Sequence, residues 1–413
     1  QTTGVPPVHR SSSFFLNAKG GSGVVIRLPV HSVHTRLTDL PSLAGPPTIL
    51  FVMPYLAVGG AENLLFDLID GLTPDQRVLV VTLDPHREEL GQTVDRCRRL
   101  TPHVYTLGDW VPREARLDTL RHLIRRWQVE VLVSWNGTVD FYDNALDIRR
   151  QFPGLRIFAQ LYNHEGGWID RTTPALLRNL DGHLGVNDRI SRALVERGAS
   201  PGRVHTVHHG VRVPPQLPAG ERTQRCRALR REINLPEDAV VVGTFIRLHR
   251  QKRPLDIVRL ARRLEESGLY FLLVGGGPET EAVNAEIRRD PPSNLVCLPL
   301  QTETLHLYDA LDICLMTSDY EGLPVFLLDG LAREIPCVAT AVGEIPELLR
   351  DGGGILVANP GDLDALAQGL LALKDQERRQ REGRCGRRTV EARFGLDTYV
   401  ETYRSLLFPK AGK

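Results

Sequence analysis

Gly210-Val-Arg-Val-Pro-Pro-Gln-Leu-Pro-Ala-Gly220 divides this chain into two halves. Three prolines between two glycines fix φ, remove backbone donors and read as a stiff, non-helical connector. Upstream of it, short apolar, β-branched runs alternate with helical stretches, the texture of βαβ units and a parallel sheet. The candidate strands there are 48–56, 77–83, 103–107, 129–135, 156–162, 182–186 and 203–208, with helical segments such as 61–72 and 113–127 between them. Downstream the same pattern restarts, with strands at 239–245, 269–274, 294–298, 312–317, 337–340 and 354–357 and Arg- and Leu-rich helices over 363–407. The expected fold class is α/β: two parallel-sheet domains facing across a cleft, with C-terminal helices packing back on the first. The expected boundaries are 1–47 for an irregular arm with a single strand in its one apolar run, 48–213 and 214–395 for the two domains, and 396–413 for a helix returning toward the first domain. Open α/β sheets bind ligands outside the carboxyl ends of their strands, so those ends are where chemistry is expected.

Composition narrows the functional classes. The chain has 413 residues, 42% hydrophobic and 24% charged, which suits a globular protein of two or three domains and excludes disordered, collagenous and coiled-coil classes. A net charge of +1 supplies no general electrostatic reason to hold nucleic acid. No apolar run approaches the ~18 residues of a membrane helix. The six cysteines (97, 226, 297, 314, 337 and 385) are scattered, without C-x-x-C or metal-ligand spacing, and suggest reduced thiols in a reducing compartment. A secretory signal is not expected at this N-terminus, which begins with Gln1; the sequence reads as a segment of a longer polypeptide or a processed chain. Of the 51 basic residues only five are lysine (19, 252, 374, 410 and 413).

Four segments carry chemistry. The first strand runs into Gly59-Gly60-Ala61-Glu62, a strand-to-helix turn whose glycines let backbone N–H groups approach a phosphate or a sugar hydroxyl. The second half opens with Arg247-Leu-His249-Arg250-Gln-Lys252-Arg253 at the end of its first strand, where an arginine clamps two oxygens and a lysine adds a mobile point charge. Gly275-Gly276-Gly277-Pro278-Glu279 closes the next strand; it departs from the G-x-G-x-x-G dinucleotide fingerprint. In Asp319-Tyr-Glu321-Gly322-Leu323-Pro324, followed by Asp329, a helix starting near Pro324 places Glu321 before it and Asp329 in its second turn. Acidic groups so placed suit the hydroxyls of a sugar and a ribose, or else a helix entry favoured by the dipole and a solvated side chain. His208-His209-Gly210 has metal-ligand residue types but no accompanying acid or third ligand, and is read as structural.

In this order, together with Gly343-Glu-Ile-Pro-Glu347, these segments resemble glycosyltransferase family 4, retaining enzymes of GT-B fold (paired Rossmann-like domains) that use nucleotide sugars. The resemblance spans about 48–408 and is strongest over 239–360. It implies that the C-terminal domain holds the donor. Arg247 and Lys252 then neutralise the diphosphate, Glu321 contacts the transferred sugar with Gly322 and Leu323 beside it, and Asp329 bonds the ribose. Gly59, Gly60, Gly275 and Gly276 lie along the donor. The family's second acid is usually Glu, so the shorter Asp329 puts donor affinity in question more than chemistry. His164, in Asn163-His164-Glu165-Gly-Gly-Trp168, matches a histidine that faces the donor sugar, and the segment after it suggests a mobile loop with an aromatic platform.

The catalytic set expected is therefore His164, Glu321, Arg247 and Lys252. No cofactor and no metal is expected: Asp362-Leu-Asp364 opens a helix instead of following a strand as a D-x-D motif. The expected partners are a nucleotide sugar and a glycan, lipid-linked or small-molecule acceptor. The expected location is the cytoplasm or the inner face of the membrane, since the 113–127 helix suits either anionic lipid or the core. A sugar-nucleotide epimerase of the same fold and a non-catalytic nucleotide-sugar-binding module stay open as alternatives, while no lysine suited to a pyridoxal Schiff base supports a phosphorylase.

Overall fold

The computed structural model describes residues 11–16, 24–29, 45–162 and 168–409. In the N-terminal arm β1 (Ser11–Leu16) pairs antiparallel with β2 (Val24–Pro29), Ser11 opposite Pro29 and Leu16 opposite Val24. The arm was expected to hold one strand. The second is Ser-Ser-Ser-Phe-Phe-Leu, which lacks the alternation that marks a strand in sequence and becomes one by pairing.

Seven parallel strands form the first large sheet: β3 (Thr48–Met53), β4 (Arg77–Thr82), β5 (Val104–Thr106), β6 (Val131–Trp135), β7 (Arg156–Leu161), β8 (Gly182–Gly185) and β9 (Val204–Thr206). Their spatial order is β5-β4-β3-β6-β7-β8-β9. Six more form the second: β10 (Val240–Phe245), β11 (Leu269–Val274), β12 (Leu295–Leu298), β13 (Ile313–Met316), β14 (Cys337–Thr340) and β15 (Gly354–Val357), in the order β12-β11-β10-β13-β14-β15. In both sheets the first strand lies between the second and the fourth. The winding reverses there, the position at which open α/β sheets bind ligands.

Helices cover both faces of such sheets, so the central strands are apolar throughout; every residue of β3 is buried. Each expected strand forms, most of them trimmed by a residue or more. The connector ends earlier than expected, because the helix Ala219–Glu232 begins right after Pro218, whose φ of −52° suits a helix entry. The helix Arg113–Arg126 turns Leu120, Leu123 and Ile124 inward and ends on buried Trp127. Its apolar stripe is thus covered by the core of its own sheet. Among the described residues, no helix is long and apolar enough to cross a membrane. All six cysteines are free.

The chain forms two compact units. One carries the seven-stranded sheet; the other takes in Val58–Leu64, Glu88–Gly91 and the chain from Val207 onward, with the six-stranded sheet. Each has a buried arginine that ties loops to its sheet. Arg116 donates to the carbonyls of Val111, Leu83 and Gly108, each at 2.9 Å. Arg230, only 4% exposed, donates to the carbonyls of Ala310 (2.9 and 3.0 Å), Glu237 (2.9 Å) and Ala239 (2.8 Å) and to Asp312 Oδ2 (2.7 Å). Asp312 Oδ2 also accepts from Val241 N at 2.8 Å, at the start of β10. A guanidinium presents five donors in a rigid fork, while an ammonium presents three at one point. Arg230→Lys is therefore expected to lower the unfolding free energy by about 2–4 kcal/mol in urea denaturation despite conserving charge.

Candidate active site

Gly243 of β10 lies opposite Cys314 of β13, so the loops leaving these two strands begin side by side at the reversal point of the second sheet. The first loop runs from Ile246 through a single 3-10 turn, Arg250–Lys252, to Arg253. Arg253 takes the left-handed conformation (φ 50°, ψ 53°) and is followed by Pro254 at the first position of the helix Pro254–Arg263. That conformation is costly for an L-residue with a Cβ, and here it is held by two ion pairs, Arg253 to Asp256 at 2.6 Å and to Asp319 at 3.1 Å. Of the five basic residues in this loop, Arg253 therefore belongs to the scaffold. Arg247 and Arg250 carry no carboxylate partner among the described residues.

The second loop, from Thr317 to Pro324, leads into the helix Val325–Ala332. Several of its polar groups are tied to neighbouring segments. Thr317 Oγ1 donates to the Lys252 carbonyl (2.8 Å), Asp319 N to the Gln251 carbonyl (2.8 Å), and Gln251 Nε2 to the Tyr320 carbonyl (2.7 Å). Thr340 Oγ1 donates to the Ser318 carbonyl at 2.7 Å, and Glu344 N to the Gly322 carbonyl at 3.0 Å. Gly343 (φ 57°) lets the next chain segment pass so close that a Cβ there would stand 2.1 Å from the Glu321 carbonyl oxygen. In a trans peptide N–H points opposite to C=O, and no peptide here is cis. Tethering the Tyr320 and Gly322 carbonyls therefore points the N–H groups of Glu321 and Leu323 opposite to those two tethers. The following helix start adds N–H groups without intrahelical partners, the kind of donor that suits an anion.

Lys252 Nζ lies 2.5 Å from Glu321 Oε1, with side chains 20% and 7% exposed. The structure thus joins two residues 69 positions apart that the sequence had marked separately. Asp329 sits in the second turn of the helix with a side chain 15% exposed; Arg333 lies 3.4 Å away, and the Tyr308 ring under the Arg333 guanidinium (5.1 Å) completes its surroundings. Burial, and then the Asp329 charge, hold the Tyr308 phenol well above its usual range.

The need for glycine at 275 is internal, since a Cβ there would meet the Ile246 carbonyl oxygen at 2.0 Å. Gly276 is less constrained, its nearest neighbour being Leu300 at 3.1 Å. Gly59 and Gly60 group with the second unit: a Cβ on Gly59 would lie 2.6 Å from Glu62 Oε2 and 3.8 Å from Arg247 Nη2, and one on Gly60 would lie 3.3 Å from Val325 Cγ2. His164 falls outside the described residues. Asp362 caps the helix Leu363–Ala372, as expected, through Ala365 N at 2.9 Å. Among the described residues there is no group of three or more His, Cys, Asp or Glu placed to hold a metal. Sequence reasoning missed Gln251, Thr317, Asp319 and Thr340, whose bonds are to backbone atoms or span distant segments and leave no local pattern.

Two such parallel sheets and a helical C-terminal part constitute the GT-B fold of glycosyltransferases. The crystal structure of Anabaena HepE in complex with UDP and glucose shares that fold, with a TM-score of 0.70 over 87% of this chain and 99% of that one, at 15% identity. Residues 227–389, which include the whole second site loop and the Arg247–Lys252 segment, match the family model for glycosyl transferases group 1. Curated relatives include the N-acetyl-alpha-D-glucosaminyl L-malate synthase of Bacillus anthracis, 27% identical over 44% of this chain and 48% of that protein. Another is the D-inositol 3-phosphate glycosyltransferase of Thermobifida fusca, 30% identical over 42% of each. The chain thus spans about half the length of the curated relatives it matches.

His209, expected to be structural, lies against this site. It is 5% exposed and its Nδ1 stands 2.7 Å from the Leu323 carbonyl oxygen, so Nδ1 carries the proton and donates. Burial pushes its pKa down to about 4; the bond to Leu323 opposes that fall and the neighbouring His208 adds to it. The neutral ring is therefore the folded form. His103, also lowered to about 4 by burial and then by Arg77, acts in the same sense. The unfolded chain binds a proton at each of these positions near pH 6.5, before the folded chain does. Stability is then complete above pH 6.5 and is lost as the pH falls toward 4. In urea denaturation the difference in unfolding free energy between pH 7 and pH 4.5 is expected to shrink by about 2 kcal/mol in His209→Asn.

Proposed function

We propose that this protein is a retaining glycosyltransferase that moves a sugar from a nucleotide-diphosphate sugar to an acceptor hydroxyl in polysaccharide or glycoconjugate synthesis. The observation that carries the reading is the Lys252–Glu321 pair, set at the sheet reversal inside the segment that matches group 1 glycosyl transferases. An ammonium has three donors. With one on Glu321, two are left for diphosphate oxygens, so Lys252 can neutralise the leaving group while it orients the carboxylate that holds the sugar. Arg247 supplies a second cation, and the N–H groups of Glu321 and Leu323 with the following helix start supply oriented dipoles. Charge that grows on the departing diphosphate meets donors already in place, the usual source of the largest catalytic contribution. Asp329 takes the ribose hydroxyls in this reading, and His164 the donor sugar.

A uridine diphosphate sugar is the first donor to try, since the structural neighbour HepE is complexed with UDP and glucose. Small hydroxyl-bearing acceptors come first too, because the relatives are named for malate and inositol 3-phosphate, ahead of glycan or lipid-linked ones. With two cations at the diphosphate, turnover needs no divalent metal. The test is nucleotide release from a panel of UDP-, GDP- and ADP-sugars, with and without acceptors and EDTA. Acceptor-dependent release that EDTA leaves intact is expected, with the product anomer matching the donor. Conversion of donor alone points to an epimerase, and binding without turnover to a non-catalytic module. Lys252→Ala is expected to lower kcat/KM by about 100-fold or more, about 3 kcal/mol of transition-state stabilisation, in a protein that is still folded at the assay temperature by circular dichroism. Near-wild-type turnover in that variant would overturn the donor-site assignment.

A further inference from the structure

The peptide between Leu323 and Pro324 has one polar handle. Proline has no N–H, so the carbonyl of Leu323 is the only group through which this peptide can be hydrogen-bonded. The helix that follows cannot reach it: its first carbonyl acceptor is Pro324, which takes Leu327 N at 3.1 Å and Leu328 N at 3.3 Å. Water does not serve it either, because Leu323 is 3% exposed. The bond comes instead from His209 Nδ1, 114 residues earlier in the chain.

His209 is itself held in place. Val211 N donates to the Phe394 carbonyl (2.9 Å) and Leu396 N to the Val211 carbonyl (3.1 Å), a two-bond bridge just beyond it. Between bridge and histidine, Gly210 runs so close to the C-terminal helix that a Cβ there would lie 2.3 Å from Tyr399 Cβ. The neighbouring His208 ring packs 5.6 Å from that of Phe394. A donor on a rigid strip of backbone thus meets a carbonyl of the Glu321 loop that the following helix does not reach.

We propose that His209 is a positioning residue for the donor site: through the Leu323 carbonyl it fixes the Leu323–Pro324 peptide, and with it Glu321 on one side and the helix N-terminal N–H groups on the other. It does not touch substrate. The inference rests on reading 321–329 as donor-binding. Without this bond the Leu323–Pro324 peptide loses its hydrogen bond, and Glu321 keeps its tethers through Tyr320 and Gly322 and its pair with Lys252.

Asparagine and leucine make the test clean. Asn Nδ2 sits the same number of bonds from Cα as His Nδ1 and donates in the same direction, while Leu has nearly the shape of Asn and no donor. Wild type, His209→Asn and His209→Leu are compared in donor and acceptor kinetics, in amide hydrogen exchange and in thermal unfolding. His209→Leu is expected to exchange at least about 10-fold faster in peptides covering 318–328, with the helix Pro254–Arg263 unchanged. Its kcat/KM falls about 10- to 100-fold, through a raised donor KM and an unmoved acceptor KM. His209→Asn stays within about threefold of wild type in both. General destabilisation would instead lower the active fraction and leave the donor KM alone. A His209→Leu protein that matches wild type in exchange and donor KM overturns the proposal. So does a His209→Asn protein as impaired as His209→Leu, which would assign the effect to ring packing. If the wild type itself transfers no sugar, the functional reading fails, and the exchange comparison still decides the tether.

Discussion

The candidate site depends on the pairing of β10 with β13, Val242 opposite Ile313 and Gly243 opposite Cys314. Neighbouring parallel strands lie about 4.8 Å apart, so whatever leaves their carboxyl ends leaves together. Arg247 and Lys252 follow one strand and Glu321 the other. The close approach rests on small residues. A Cβ on Gly243 would stand 2.3 Å from Leu311, and one on Gly330 would stand 2.4 Å from the Cys314 sulfur. A larger residue at either glycine would press on the β10–β13 region or on the helix that follows the Glu321 loop, and the charged pair would feel the displacement first.

Around that pairing the protein separates its charges by task. Buried arginines bind carbonyls: Arg116 and Arg230 each fasten several chain segments, and Arg253 sustains a left-handed turn with two carboxylates. Arg230 has all five donors engaged, and the bonds of Arg116 and Arg253 are all to the protein itself. Lys252 is different. Its ammonium has a single carboxylate contact and side-chain access to solvent, so it retains capacity for an anion. In a chain with 46 arginines, the lysine stands where a compact, mobile charge is useful and a rigid fork is not.

Most of the fold was legible because a sheet covered on both faces needs continuous apolar strands, and short β-branched runs between helical stretches can hardly mean anything else. The two misjudged places follow from the same logic. β1 lacks the pattern and exists by pairing with β2. Ala219 and Gly220 look like the end of a proline-rich connector and are taken into a helix by the residues after them. At the site, the charged and glycine-rich segments stood out, but their relations did not. Gly275 read as a ligand glycine, and the close approach of the Ile246 carbonyl, which also requires a glycine there, left no trace in the sequence. Arg253 stood in the same basic run as Arg247 and Lys252, and only the structure shows it paired with Asp256 and Asp319.

By itself the sequence determined the architecture, the order of the strands along the chain and the short list of residues able to handle a phosphate and a sugar. Periodicity and residue chemistry are local properties, and a local reading recovers them. Only the tertiary structure decided the spatial order of the strands, the Lys252–Glu321 contact, and the tethers from Gln251, Thr340, Glu344 and His209 that hold the Glu321 loop. Those are bonds between segments far apart in the chain, many of them to backbone carbonyls, which every residue carries alike. No side-chain pattern announces which carbonyl will be left without a partner until the fold has buried it.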